Sequence, residues 1–138
     1  VMSADAAVRT LPMLGQVPAT PQSTQDVTWA PKIDKSDGLV DWSRPAAELD
    51  CRIRGVTPWP GGHTPWSGGA LKLNAVAVVA AAGAPGHIVS LDPLVVACGD
   101  GALELVIVQA PGRKPVSGAD FARGARLQID HPFVPGAL

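Results

Sequence analysis

The sequence is poorer in some things than in others. It has no tyrosine and two phenylalanines, and aromatics are only 4% of its residues. Its two cysteines, Cys51 and Cys98, lack a CxxC spacing, which argues against a redox pair; they read as a helix thiol and a packed strand thiol. Neither sign of charge dominates: 11 basic and 12 acidic side chains leave a net charge of −1, which excludes a whole-molecule basic field but not a local basic patch. No apolar run reaches membrane-spanning length uninterrupted. The longest, Ala75 to Gly86, is rich in Ala and Val, ends in Gly and Pro, and reads as a strand and a turn. Residues 1–20 lack the positive flank and apolar centre of a secretion signal. A cytoplasmic setting with reduced thiols is therefore expected, with no membrane partner.

What the sequence does have is punctuation. Its 15 glycines and 14 prolines favour short strands and turns over long helices. At 138 residues it can bury one modest core. Residues 4–14 have helical spacing at Ala7, Leu11 and Leu14, interrupted by Pro12, and read as the tail of something larger. Residues 17–38 read as a linker, and residues 39–138 as the folded domain.

The organising stretch is Asp41 to Gly62. Ser43 is expected to cap a helix in which Ala46, Leu49, Ile53 and Val56 share one face. Gly55 stops it, and Pro58 and Pro60 forbid its restart. Beyond it, residues 70–79 alternate, with Leu71, Leu73, Ala75, Ala77 and Val79 assigned inward. Gly99-Asp100-Gly101 between two apolar runs predicts a hairpin, with Leu103, Leu105 and Ile107 inward. Ser117 and Asp120 resemble a capping box for a short helix closed by Gly124, and residues 127–138 are expected to trail over the surface. The fold class expected is mainly β: a small Greek-key barrel of the OB-like kind, with one capped helix near its start and a short C-terminal helix. A two-sheet sandwich is the alternative.

Catalytic groups are hard to find. His63, His87 and His131 lack metal-ligand spacing, Ser67 lacks a nucleophile-elbow frame, and no glycine-rich loop runs from a strand into a helix with a lysine. No catalytic or metal residue is expected. Trp29, Trp42, Trp59 and Trp66 could stack on bases, but for Trp42 and Trp59, which flank the helix, packing at barrel ends is expected instead. The remaining candidates are cations. Lys32, Lys35, Arg54, Arg113, Lys114 and Arg123 are ordinary surface charges one by one, but a phosphate-tracking set if the fold gathers them.

Several motifs then occur in order. Pro18-Ala19-Thr20-Pro21-Gln22 precedes Thr28-Trp29-Ala30-Pro31-Lys32-Ile33; the helix exits through Thr57-Pro58-Trp59-Pro60-Gly61; Leu94 to Leu103, Gly112-Arg113-Lys114-Pro115 and Phe121-Ala122-Arg123-Gly124 follow. Together they resemble the C-terminal domain of methionyl-tRNA formyltransferases over nearly the whole chain. Trp29 stands where that family usually has Tyr, and Thr57 where it has Asn. The resemblance implies a barrel that helps hold initiator methionyl-tRNA. It also implies a preceding N-terminal formyltransferase domain, which in that family binds 10-formyltetrahydrofolate and carries the Asn, His and Asp triad. Residues 1–16 resemble the last helix of that domain. The resemblance implies no cofactor and no catalysis for these residues alone. A docking or spacer domain with little nucleic-acid contact is the alternative.

Overall fold

In the computed structural model, which describes residues 2–16, 18, 20, 21, 23–25 and 27–133, the chain divides into two units, Val1–Pro31 and Lys32–Leu138. The first unit holds helix α1, Met2–Thr10, and a 3-10 turn, Leu11–Met13. Pro12 breaks the α-helical pattern as expected, because it offers no N–H to the ladder. Val8, Leu11 and Leu14 are exposed.

The second unit opens with a 3-10 turn, Lys35–Gly38, closed by a reciprocal cap: Asp34 accepts from the Ser36 amide, and Asp37 accepts from the Asp34 amide. Helix α2 follows at Ala46–Gly55. Then come strands β1 (His63–Trp66), β2 (Gly69–Val79), β3 (Ile88–Leu91), β4 (Leu94–Ala97), β5 (Ala102–Gln109) and β6 (Val116–Ser117), and helix α3 at Gly118–Ala125. The strands make one sheet in the order β1-β2-β5-β4-β3, every pairing antiparallel, with β6 also on β5. The fold is mainly β, a half-barrel with few helices. Among the described residues β1 and β3 share no ladder. The gap is spanned instead by the segment after α3: Ile88 N–H donates to His131 O, Phe133 N–H to Gly86 O, and the Thr64 hydroxyl to Phe133 O.

Two irregularities reset the inward faces of β2 and β5. Leu73 pairs with Val108, Ala75 with Ile107 and Val76 with Leu105, so Asn74 and Val106 are each an extra residue. A bulge of one residue moves every later side chain to the other face. The strict alternation read from the sequence therefore fails beyond Leu73. Val76 packs against the core where Ala75 was expected, and Val108 is buried where Ile107 was expected.

Helix α2 lays Ala46, Leu49 and Ile53 on β2 and β5. Burying Leu49 and Ile53 contributes roughly 1.5–3 kcal/mol each. The expected cap is corrected. Pro45, not Ser43, is the N-cap, and the Ser43 hydroxyl donates to Asp41 at 2.6 Å. The first turn is satisfied through the backbone, where Ala46 N–H donates to Asp100 O at 2.9 Å. That bond joins the helix start to the β4–β5 turn. Gly99 is required there, because a Cβ would overlap the Ser43 carbonyl oxygen.

Ser117 caps α3 as expected, accepting from the Asp120 amide at 3.1 Å. Gly124 does not end the helix. Arg126 does, in a left-handed conformation with φ 53°. The segment after α3 does not trail over the surface either: Leu127 packs against the core and Phe133 is fully buried. Residues 134–138, part of that expected tail, lie outside the described residues.

Candidate nucleic-acid interface

The turn after β5 is fixed by its own residues. Pro111 presets the second position, Gly112 takes φ 67° at the third, and Arg113 N–H closes the turn on Ala110 O at 3.1 Å. This is the type II pattern. Gln109 also donates to Arg113 O at 2.9 Å. Arg113 and Lys114 therefore stand on an ordered support, and among the described residues neither meets a carboxylate within ion-pair distance.

Both cations line a cavity of about 430 Å³ between the turn, β6 and α3. Its apolar walls are Trp66, Ala110, Val116, Phe121 and Ala125. Trp66 and Phe121 meet edge to face with ring centres 4.9 Å apart, an arrangement that fixes the indole plane. The one acid in the wall, Asp120, accepts from Ser117 at 2.7 Å and from Arg123. Those hydrogen bonds, with the Arg123 charge, hold its carboxyl below the ordinary value near 3.8, so it stays ionised and engaged. Among the described residues no free side-chain carboxylate and no side-chain amide lines the cavity to match the paired amino and carbonyl groups of a pterin edge, so it does not fit a folate.

The other expected cations are placed differently. Arg123, on α3, reaches Asp120 and, at 3.8 Å, Asp92 in the β3–β4 turn. Arg54 is bound to Asp50 one helical turn back at 3.0 Å. In both, the hydrogen bond to the carboxylate raises the guanidinium pKa and occupies one edge of the fork. Lys32 and Lys35 are exposed at and near the 3-10 turn, and neither they nor Arg54 line the cavity. The tryptophans also divide. Trp42 is buried and donates to Thr64 at 3.0 Å, as packing requires, whereas Trp59 is 56% exposed, against the packed role expected for it. Pro58 and Pro60 flank that ring on the turn between α2 and β1.

Residues 32–126 match the model of the formyl transferase C-terminal domain. The chain belongs to the formyl transferase C-terminal domain family. The chain is 43% identical over 142 aligned positions, 100% of its own length and 46% of the relative's, to the methionyl-tRNA formyltransferase of Solibacter usitatus. It is 48% identical over 102 positions, 72% of the chain and 32% of the relative, to the enzyme of the same name from Granulibacter bethesdensis. It thus spans less than half the length of these curated relatives. Among solved structures, HypX from Aquifex aeolicus in complex with tetrahydrofolic acid matches with a TM-score of 0.63 and 16% identity, covering 92% of this chain and 24% of that one. A likeness at that identity shows a shared fold.

Sequence reasoning found the cations but missed the wall beside them. Trp66 was legible only as one of four tryptophans that could stack on bases, and Gly124 only as a helix stop. The available signal was the apolar content of Val116, Phe121 and Ala125 so close to two basic residues.

Proposed function

We propose that the chain is the C-terminal domain of a methionyl-tRNA formyltransferase and binds initiator methionyl-tRNA through its phosphate backbone. Residues 1–16 are then the end of a preceding catalytic domain, 17–38 the linker, and 39–138 the binding domain. The observation that carries the reading is a hydrogen-bonded turn with two cations, Arg113 and Lys114, that meet no carboxylate within ion-pair distance among the described residues. The names of relatives that are 43–48% identical support the choice of tRNA.

Arg113 and Lys114 supply the strongest contacts. Lys32 and Lys35 add exposed charge, while Arg54 and Arg123 contribute less because each must share its guanidinium with an acid. These contacts position the RNA without reading its sequence. Formyl transfer from 10-formyltetrahydrofolate belongs to the preceding domain, and the chain by itself turns over no substrate. The test is tRNA binding across a salt series. Phosphate contacts release counterions, so log affinity falls linearly with log salt, by roughly 0.7–0.9 per contact. A flat response contradicts the reading.

The near-neutral charge and the acid-engaged arginines favour one other reading, a docking domain for the N-terminal formyltransferase domain. It predicts tight binding to that domain made separately and no response to tRNA.

A further inference from the structure

The cavity beside Arg113 and Lys114 has three features that phosphate contact alone leaves unexplained. Its floor is apolar and part-aromatic, whereas backbone contact needs only exposed charge. Trp66, in its wall, keeps its indole Nε1 buried with no hydrogen-bond partner. A buried donor without a partner is rare, because its lost hydration goes uncompensated. Finally, Gly124 sits at the cavity inside α3, where glycine weakens a helix. A Cβ there would meet nothing within 4 Å, and the position carries no positive φ, so neither packing nor backbone conformation demands glycine.

We propose that this cavity receives one unpaired nucleotide of the bound tRNA: the base enters between Trp66, Val116 and the Gly124 face of α3, and its phosphate rests on Arg113 and Lys114. The inference deepens the tRNA reading above and rests on it. Charge complementarity selects the occupant. The free charges at the rim are both positive, and Asp120 is already held by Ser117 and Arg123, so the ligand is an anion with a flat apolar body. At about 430 Å³ the cavity lies in the range of roughly 300–1,000 Å³ that holds small planar ligands. Every base has a face to stack on the aromatic wall. The site is therefore indifferent to sequence but selective for bases outside a duplex. A paired stem offers only its phosphates to the same rim.

The test uses the 138-residue chain, initiator tRNA, and a blunt, fully paired RNA duplex. Gly124→Leu adds a bulky side chain to the cavity wall, where its Cβ meets nothing within 4 Å, and is checked for folding by its thermal midpoint. It is expected to weaken tRNA binding roughly 5- to 150-fold, the range of one lost stacked base, and to leave duplex binding unchanged. Trp66→Phe keeps an aromatic ring but makes the stacking wall smaller; it is expected to weaken tRNA binding roughly 2- to 10-fold and to leave duplex binding unchanged. Unchanged tRNA affinity in both variants, or equal losses on tRNA and duplex, overturns the proposal. If Arg113→Ala with Lys114→Ala weakens tRNA binding while Gly124→Leu does not, the nucleotide site falls and the phosphate reading stands. If the unaltered chain binds neither RNA, both fall.

Discussion

Replacing Phe133 by alanine should cost far more than its place near the end of the chain implies. The ring is fully buried and meets His131 edge-on, with centres 6.3 Å apart. Its backbone stitches the open side of the half-barrel: its N–H donates to Gly86 O at 2.7 Å, and its carbonyl accepts from Thr64 at 3.3 Å. Thr64 in turn accepts from Trp42, so one buried chain of polar groups runs from the residues before α2 through β1 to Phe133. Truncating a buried Phe costs roughly 3–5 kcal/mol, the lost transfer energy plus the cavity left behind. Against a total of about 5–15 kcal/mol for a domain of ordinary stability, that is at least a fifth and up to the whole. In a unit of this size each kcal/mol moves the midpoint by roughly 4–8 °C, so the variant should melt more than ~10 °C lower. Phe133→Leu keeps most of the volume and should lose less than about 1.5 kcal/mol. Urea and thermal unfolding followed by circular dichroism measure both. A Phe133→Ala loss below about 1 kcal/mol would mean that the segment lies loosely on the sheet and does not close it.

Two glycines should respond with opposite signs. Gly99→Ala pushes a methyl group into the Ser43 carbonyl and should destabilise by about 1–3 kcal/mol, whereas Gly124→Ala enters open space and should stabilise α3 by about 0.5–1 kcal/mol; urea midpoints report both. The cysteines should separate by access. Cys51 is exposed, whereas burial pushes the Cys98 thiol up to about 11, so at pH 8 one equivalent of a thiol reagent reacts quickly and the second only on unfolding. Acid should act partly through α3. Hydrogen bonds from Ser117 and Arg123 depress the Asp120 pKa in the folded state, so its contribution is present above the ordinary value near 3.8 and lost as pH falls through the lower folded value. Ser117→Ala should lower stability by about 1 kcal/mol at pH 7 and flatten the acid limb of a stability–pH curve; an unchanged acid limb would contradict this origin.

Local chemistry was legible in the sequence wherever it was self-sufficient. The hairpin at Gly99–Gly101, the cap at Ser117 and the α2 stripe of Ala46, Leu49 and Ile53 each depend on residues a few positions apart. What depended on distant partners was not legible. Ser43 looks like the helix cap until Asp41 takes its hydroxyl and Asp100 satisfies the helix start. The extra residues at Asn74 and Val106 leave no mark in composition, yet they decide whether Ala75 or Val76 faces the core. Phe133 reads as part of a proline-bearing surface tail because the strands it covers lie far back in the chain. The six cations were visible, but their rank was not. Only the fold separates Arg113 and Lys114, which meet no carboxylate among the described residues, from Arg54 and Arg123, which are held by Asp50, Asp120 and Asp92.

The most direct measurement is the salt dependence of initiator tRNA binding, compared between the unaltered chain and Arg113→Ala/Lys114→Ala. Two lost phosphate contacts should make the double-logarithmic slope shallower by about 1.4–1.8 and weaken binding at low salt, with the thermal midpoint unchanged. Equal slopes and equal affinities in the two proteins would contradict the claim that this turn holds RNA.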